Sequence, residues 1–136
     1  MNIDSIKNGI VVDHITAGKA MQLYKMLGLD RLDCCVAVIQ NVSSGKMGKK
    51  DIIKIDSSID INLDVIGYVS PNATINVIQN GEIADKKHIG LPKKLVDIIR
   101  CKNPRCITTT EQEIKHIFVL SDRGEYRCYY CETKAN

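Results

Sequence analysis

The sequence CKNPRCITTTEQEIKHIFVLSDRGEYRCYYC, at positions 101–131, contains two close pairs of cysteines that decide how the last part of the chain folds. Four residues separate Cys101 from Cys106, and two residues separate Cys128 from Cys131. Either spacing lets one turn direct two thiolates at the same ion, and two such turns complete a tetrahedron. We therefore expect these four cysteines to bind one Zn²⁺ ion; iron in a rubredoxin-like site uses similar spacing and stays an open alternative.

A site closed by four thiolates is structural, because it leaves no coordination position for a water nucleophile. Residues 101–136 are too few to form a core of their own, since domains below about 40 residues usually need a metal, disulfides or a partner. HIFVL at 116–120 and EYRCYY at 125–130 alternate on either side of the turn SDRGE, which predicts a hairpin. We expect the C-terminal part to be a small all-β docking unit that folds around its metal.

Composition restricts the class of protein. The chain has 136 residues, 44% of them hydrophobic, which suits one ordinary domain or two very small ones. No stretch approaches the length of a membrane helix, and no apolar run follows a basic start, so we expect a cytoplasmic protein without a membrane partner. In that reducing compartment six cysteines favour metal ligation or buried thiols over disulfides. The net charge of +3 is too small to indicate a nucleic acid partner.

The first part of the chain carries both strand and helix signals. GIVVDHI at 9–15, CVAVIQ at 35–40 and DIIKI at 51–55 are rich in β-branched residues and predict three strands. Between the first two strands, apolar residues recur with helical spacing. Thr16 is placed to cap this helix and Gly28 to end it in a left-handed conformation.

Further elements complete an α+β domain. A short helix is predicted at 61–69, ending before the next proline because that position disfavours helical angles. Asn80-Gly81 lies between two alternating segments and is the strongest hairpin signal in the chain. The whole predicts a mostly antiparallel sheet with two helices on one face. Pro92 then suits the first turn of a helix, through Ile99, that would join this domain to the cysteine-bearing one.

Cys34 and Cys35 fall outside the metal pattern. Neighbouring residues on a strand point to opposite faces, so this pair cannot easily chelate one ion. Free cysteine commonly acts as a small buried apolar residue. We therefore expect a structural role for both thiols.

Lysines on the predicted sheet form a candidate anion site. Lys50 and Lys54 lie four residues apart, which places both on the same face of a strand. If the strands bring Lys86 to that face, the three ammonium groups can neutralise a phosphate chain, with Asp13 or Asn76 available for a ribose hydroxyl. The other interpretation is that exposed lysines only keep strand edges soluble. The chain has no glycine-rich phosphate loop of the usual kinds.

Catalysis is not indicated. His14 adjoins Asp13 on the first strand, but adjacent residues face opposite sides and cannot form a dyad by adjacency. His116 is expected on the surface of the C-terminal hairpin. No serine, cysteine or carboxylate has the setting of an activated nucleophile. The chain is therefore expected to be noncatalytic.

Several motifs together resemble one family. They are GIVVDHI at 9–15, SSGKMGKKDIIKI at 43–55, SPNATINVI at 70–78 and GLP at 90–92, followed by the four cysteines in order. Over nearly the whole length the chain resembles the regulatory chains of aspartate carbamoyltransferase. Any one of these motifs alone is weak, whereas the combination is specific.

The resemblance implies two domains, 1–92 as an allosteric nucleotide-binding domain and 93–136 as a zinc-binding domain that docks the catalytic chain. It implies a noncatalytic regulatory subunit of pyrimidine biosynthesis that binds CTP as inhibitor and ATP as activator, with UTP as a possible second nucleotide. It also implies homodimers of regulatory chains. Carried over by motif, the effector site would use Ile6, Asp13, His14, Lys50, Lys54, Asn76, Ile83 and Lys86.

In that interpretation Lys86 and His14 would contact phosphates, Asp13 and Lys54 the ribose, and main-chain groups near Ile6 and Ile83 the base. Gly81 occupies a position where other members can carry a tyrosine near the base. The predicted helix after Pro92 would couple the two domains. Two other interpretations stay open: a zinc-ribbon nucleic-acid-binding protein, and a structural linker of catalytic trimers that has lost its response to effectors.

Overall fold

A computed structural model describes residues 6–135 of the chain. The chain divides into two compact units, Met1–Leu91 and Pro92–Asn136. Within residues 6–135, none of the helices has the length and apolar character needed to cross a membrane. The fold class predicted from the sequence is confirmed: an antiparallel five-stranded sheet with helices precedes a small β unit that carries the four cysteines.

The first unit is built on a sheet with the strand order β2-β3-β1-β4-β5, and every pairing in it is antiparallel. Within residues 6–91, two α-helices and one 3-10 helix, Leu29–Arg31, accompany the sheet. The strands are β1 Gly9–Thr16, β2 Val36–Ser44, β3 Gly48–Ile55, β4 Thr74–Gln79 and β5 Glu82–His88, and the helices are α1 Ala20–Met26 and α2 Leu63–Val69.

One face of this sheet forms the core and the other is polar. Val12 pairs with Ile53 on one side and with Ile75 on the other, and all three side chains are buried. Leu23 of α1 and Ile66 of α2 are also fully buried. Because paired residues point to the same side, the intervening positions of β1, β3 and β4 are directed to the opposite face. That second face carries most of the lysines predicted to bind an anion.

The start of α1 differs from the prediction. Thr16 is the last residue of β1 and does not cap the helix; its N–H donates to Ser70 Oγ at 3.0 Å. The helix is capped by Asp51 of β3, whose fully buried carboxylate accepts from the N–H groups of Gly18 at 2.9 Å and Ala20 at 3.1 Å. A carboxylate near a helix N-terminus satisfies its unpaired N–H groups as well as a local cap would.

The predicted ends of both helices and the predicted hairpin are confirmed. Gly28 has φ of 68° just after α1, and α2 ends at Val69, before Pro71. The helix α2 starts at Leu63, two residues later than predicted, because the side chain of Asn62 caps it by accepting from the N–H groups of Asp64 and Val65. Asn80 and Gly81 have φ of 54° and 79° and form the two-residue turn between β4 and β5. Positive φ at both positions is what an Asn-Gly hairpin turn requires.

The second unit contains a three-stranded antiparallel sheet, ordered β6-β7-β8, and one short helix. The hairpin predicted from the alternation of 116–130 is confirmed. The elements are β6 Lys94–Val96, α3 Ile107–Thr110, β7 Ile117–Leu120 and β8 Tyr126–Cys128.

The helix predicted from Pro92 to Ile99 is wrong. Lys94–Val96 is a strand that pairs with β7, and its central Leu95 lies opposite Phe118, both buried. Asp97, with φ of 55°, turns the chain away from a helical path directly after this strand. Apolar residues spaced as in 93–99 fit a short buried strand as well as a helix, and the tertiary contact with Phe118 decides between them.

Candidate functional site

The four cysteine side chains of the second unit converge. Their sulfur atoms all lie within 4.8 Å of one another. The closest distances are 3.5 Å between the sulfurs of Cys101 and Cys131 and 3.7 Å between those of Cys106 and Cys128. Thiolates about 2.3 Å from one tetrahedral ion stand about 3.8 Å apart, whereas disulfide sulfurs are bonded at about 2.05 Å. The separations therefore fit ligands of a single ion and not two disulfides.

Local backbone turns aim these sulfurs. Cys106 is the N-cap residue of α3, and its N–H donates to the Asn103 carbonyl at 3.1 Å, which closes the first cysteine turn. Cys128 ends β8, and its carbonyl accepts from the N–H of Glu132 at 2.9 Å. Glu132 has φ of 64°, so the second turn folds tightly back behind Cys131. Each pair is thus held by its own turn, as the spacing predicts.

Hydroxyl groups and burial shape the chemistry of the thiols. Thr108 Oγ1 lies 3.1 Å from the sulfur of Cys106, and Thr133 Oγ1 lies 3.2 Å from that of Cys131. Burial raises the pKa of Cys101 to about 12. Burial also raises the pKa of Cys131, but hydrogen bonds with Thr133, Asn103 and Cys101 together outweigh burial and lower that pKa to about 6. Four adjacent thiolates repel one another, so only a bound cation keeps all four deprotonated.

His116 supports this centre, which the sequence interpretation missed. Its ring Nδ1 accepts the backbone N–H of Cys101 at 3.0 Å, and the backbone N–H of His116 donates to Asp97 Oδ1 at 2.9 Å. His116 is half-buried and not simply a residue on the hairpin surface. The local sequence around His116 does not indicate this role, because the pairing of β6 with β7 brings His116 and Cys101 together.

The polar face of the first unit carries one row of residues across four strands. Val11 of β1 pairs with Lys54 of β3 and with Asn76 of β4, and Asn76 pairs in turn with Lys86 of β5. Cross-strand partners lie about 5 Å apart and point to the same side. Lys54, Asn76 and Lys86 therefore share one surface, as the anion-site hypothesis requires.

A second row lies next to the first. Asp13 pairs with Thr74, and Thr74 pairs with His88. The ammonium of Lys50 lies 2.9 Å from Asp13 Oδ1, and His14 Nδ1 lies 3.0 Å from Thr74 Oγ1. The two rows together define a cationic sheet face, which consists of Asp13, His14, Lys50, Lys54, Thr74, Asn76, Lys86 and His88.

The expectation that Asp13 and His14 face opposite sides is wrong. The register of β1 against β3 shifts between Val12 and Ile15, and His14 adopts φ of 56° within this irregularity. The N–H of His14 donates to Asp13 Oδ1 at 2.6 Å, and the ring Nδ1 lies 3.9 Å from the same oxygen. A β-bulge re-aims a side chain in this way, so both residues contribute to the cationic sheet face.

Two groups on this face are tuned by burial. Burial raises the pKa of the Asp13 carboxyl, but the hydrogen bonds from Lys50 and from the N–H of His14, with the charges of these two residues, outweigh burial and hold the pKa below its usual value of 3.8. The side-chain oxygen of Asn76 is buried and has no hydrogen-bond partner among the described residues. A buried acceptor without a donor is costly, and it indicates a place where a ligand donor would be accommodated.

The remaining predicted residues have different settings. Ile6 is 7% exposed, so little of this residue is open to a ligand. Ile83 is 60% exposed on the edge strand β5, whose outer backbone groups face no other described strand of the sheet. Cys35 is exposed and Cys34 half-buried, so the expected burial of Cys35 is wrong. Neither of these two thiols belongs to the sulfur cluster.

The chain is similar to proteins of one description over nearly its whole length. Residues 1–90 match the family model for the aspartate carbamoyltransferase regulatory chain, allosteric domain, and residues 93–136 match the model for its metal binding domain. A regulatory chain of that name from Clostridium botulinum (strain Hall) is 50% identical over 134 residues, which cover 97% of this chain and 92% of the relative.

Relatives from other organisms carry the same name. The chain from Clostridium tetani is 49% identical over 135 residues, covering 97% of this chain and 94% of the relative. The chain from Bifidobacterium longum is 45% identical over 137 residues, covering 99% of each. Identity at this level over nearly the full length of both proteins indicates that these chains and the present one share one architecture.

Proposed function

Since this chain belongs to the aspartate carbamoyltransferase regulatory chain family, we propose that it binds the nucleoside triphosphates CTP and ATP and passes the signal to a separate catalytic chain. The chain is a noncatalytic subunit with an allosteric domain and a metal-binding domain. We assign effector binding to residues 1–92 and docking of the catalytic chain to residues 93–136. The binding site on the first domain is the cationic sheet face.

The observation that carries this proposal is the unpaired side-chain oxygen of Asn76 in a row of residues that contains Lys54 and Lys86. Asn76 lies in register between Val11 and Lys86, and Lys54 completes the row on the other side of Val11. A nucleotide has groups that complement this row. Its hydroxyl or amino groups can donate to the buried oxygen of Asn76, and its negatively charged phosphates can pair with the lysines. Lysines that served only to keep an edge soluble would leave the buried oxygen of Asn76 unexplained.

Nucleotide contacts are distributed along the same surface. Lys86 and His14 are suited to phosphates, and Lys54 and Asn76 to ribose hydroxyls. Asp13 holds the ammonium of Lys50 at 2.9 Å, so we assign it to positioning Lys50 as well as to the sugar. Main-chain groups at Ile6 and Ile83 remain the proposed contacts of the base.

The metal site belongs to the second unit, which is proposed to dock the catalytic chain. We propose that the ion is a single structural Zn²⁺ held by Cys101, Cys106, Cys128 and Cys131, because nothing around the sulfurs calls for redox chemistry. With all four positions taken by thiolates, the ion would fold the second unit and leave catalysis to the partner. The metal-loaded unit would then present the surface that docks the catalytic chain.

Regulation requires a thermodynamic link between the two units. An effector changes activity only if it binds the quaternary states of the assembly with different affinity. We propose that homodimers of this chain join catalytic subunits in the cytoplasm and respond there to the end product of pyrimidine biosynthesis. The sequence predicted that a helix after Pro92 would couple the two domains. We propose that the segment from Pro92 into β6 Lys94–Val96 has this coupling role instead.

Calorimetric titration of the metal-loaded chain with CTP and ATP tests the proposal. Saturable binding that is weakened by Lys54→Ala and kept by Lys87→Ala is expected, because Lys87 pairs with Asp85 at 3.7 Å and is offset from the row. Absence of binding by either nucleotide would favour a structural linker without effector response. Salt-dependent binding of an oligonucleotide without binding of CTP would favour a nucleic-acid-binding protein.

A further inference from the structure

The dipeptide Asn-Gly occurs twice in the chain, at 8–9 where β1 begins and at 80–81 in the turn between β4 and β5. The fold brings the two dipeptides together. The N–H of Asn80 donates to Asn8 Oδ1 at 3.2 Å. The N–H of Gly81 donates to the carbonyl of Lys7 at 2.9 Å. Residues 6–8 therefore hold the hairpin turn through two hydrogen bonds.

An asparagine followed by glycine can react with its own main chain. The glycine nitrogen attacks the carbon of the side-chain amide, and a new C–N bond closes a cyclic succinimide. The amide nitrogen leaves as ammonia and takes up the proton of the attacking N–H. Water then opens the ring at either carbonyl and yields aspartate or isoaspartate. Glycine favours this attack because it has no Cβ to obstruct it, and water is the only co-reactant.

The two dipeptides differ in their surroundings. Asn80 and Gly81 are both exposed, and a Cβ built at Gly81 would meet no atom of the described residues within 4 Å. Gly9 is buried and lies opposite Ile78 in the sheet, and a Cβ there would collide with the carbonyl oxygen of Ile55. Ring closure rotates the peptide bond between asparagine and glycine. The turn at 80–81 has room for this rotation, whereas the rotation at 8–9 would disrupt β1.

The attacking nitrogen at 80–81 is also the donor that binds residues 6–8. While the N–H of Gly81 donates to the Lys7 carbonyl, the turn keeps its positive φ angles and the nitrogen is not free to attack. Lys7 and Asn8 are exposed and lie outside the strands and helices. Exposed segments with few hydrogen bonds open locally at a low cost in free energy. The reaction therefore starts from an opened state, and the docking of residues 6–8 determines how often that state occurs.

We infer that Asn80 is a site of spontaneous deamidation whose rate is controlled by the docking of residues 6–8, and that β1 protects Asn8 from the same reaction. This modification does not depend on the proposed function. Isoaspartate adds a carbon atom to the main chain of a two-residue turn, which the paired ends of β4 and β5 cannot accommodate. The modified turn loses its hydrogen bonds to Lys7 and Asn8. Deamidation thus releases the segment that begins with the buried Ile6.

The test follows deamidation of the full metal-loaded chain during incubation at mildly alkaline pH. Peptide mass spectrometry measures conversion at each asparagine, and enzymatic methylation of isoaspartyl groups identifies the isoaspartate product. The same chain unfolded in urea is the reference, because both dipeptides are then accessible. Asn8→Ala removes the acceptor of the Asn80 N–H. The matched control is Asn72→Ala, an exposed asparagine outside the contact with residues 6–8. Both substituted positions are exposed, so neither variant is expected to unfold.

The folded wild-type chain is expected to convert Asn80 and to keep Asn8, whereas the chain in urea converts both. Asn8→Ala should speed the conversion of Asn80 by ~5-fold, because the loss of one exposed hydrogen bond makes the turn easier to open. Asn72→Ala should keep the wild-type rate. Equal conversion of both asparagines in the folded chain, or no conversion of Asn80 while the urea sample reacts, overturns the assignment of the site. A wild-type rate in Asn8→Ala overturns control by residues 6–8.

Amide hydrogen exchange of Gly81 tests the consequence of the modification. This N–H donates to Lys7 in the unmodified chain, so it should exchange faster once isoaspartate has formed at position 80. Exchange at Gly81 that is the same in the modified and unmodified chains would overturn the release of residues 6–8.

Discussion

Lys50 Nζ lies 2.9 Å from Asp13 Oδ1, and this ion pair joins β3 to the irregular end of β1. Side-chain exposure is only 16% for Lys50 and 20% for Asp13, so the pair is screened less than a surface pair. The same carboxylate oxygen accepts the N–H of His14 at 2.6 Å. The carboxylate of Asp13 therefore positions both Lys50 and His14 on the cationic sheet face.

This arrangement predicts how acid affects the first unit. Because the pKa of Asp13 is lowered in the folded chain, its contribution to stability is present above its unfolded value of 3.8 and is lost as the pH falls through the folded pKa. Asp13→Asn should lower the free energy of unfolding at neutral pH by about 2 kcal/mol. It should also flatten the pH dependence below 3.8.

Amide hydrogen exchange in β1 and β4 is the measurement, because it reports on the first unit even when acid releases the metal from the second. Asp85→Asn is the control, since Asp85 and its partner Lys87 are each 53% exposed. An acid dependence of Asp13→Asn equal to that of the wild type would contradict the assigned role of Asp13.

Asp51 should be the costliest carboxylate to remove. It is fully buried and accepts from the N–H groups of Gly18, Ala20 and Asn41. Asp51→Ala should lower the free energy of unfolding by about 3 kcal/mol, because it leaves three N–H groups without their acceptor. Urea denaturation followed by circular dichroism measures this, with the exposed Asp60→Ala as control. Similar stability of the two variants would show that α1 has another cap.

Metal removal should affect the units unequally. A chelator should unfold Pro92–Asn136 and leave the fold of Met1–Leu91 intact, since the sulfur cluster belongs to the second unit alone. NMR amide dispersion, assigned by unit, distinguishes the two. Cys101→Ser should reproduce the loss, while Cys35→Ser, outside the cluster, should bind one ion per chain as the wild type does. Equal unfolding of both units on chelation would refute their independence.

Two tyrosines next to the metal ligands should anchor the catalytic chain. Tyr129 and Tyr130 are 63% and 44% exposed and stack edge to face with ring centres 5.1 Å apart. Exposed aromatic pairs of this kind often carry much of the binding energy of an interface. Tyr129→Ala should weaken assembly with catalytic trimers by ~10-fold or more in analytical ultracentrifugation. The control Met21→Ala, 43% exposed on α1, should assemble normally; equal behaviour of the two variants would exclude the tyrosines.

The elements predicted correctly are those with local signals. Asn80 and Gly81 determine their turn through their own backbone preferences, and each cysteine pair lies within one turn. The failures concern contacts between distant segments. Asp51 caps a helix that begins 31 residues earlier, and Leu95 becomes a strand residue because Phe118 covers it. In both cases the two partners are too far apart in sequence for a local pattern to reveal their contact.

The candidate site follows the same division. The spacing of Lys50 and Lys54 predicts a shared strand face, but Lys86 and His88 reach that face only through the pairing of β5 with β4. Strand order depends on the whole sheet. Local sequence patterns could therefore suggest a cluster of lysines but could not determine which residues belong to the cationic sheet face. The shift at His14 is a backbone irregularity that residue type does not announce.

The most direct test of regulation is the aspartate saturation curve of an assembly made from this chain, loaded with metal, and catalytic trimers. We predict that CTP and ATP shift the aspartate concentration at half saturation. An assembly containing Lys54→Ala should form equally well and show no shift, because Lys54 belongs to the proposed nucleotide-binding face and is far from the sulfur cluster in sequence. An assembly with wild-type chain whose curve is unchanged by either nucleotide would contradict the proposed function.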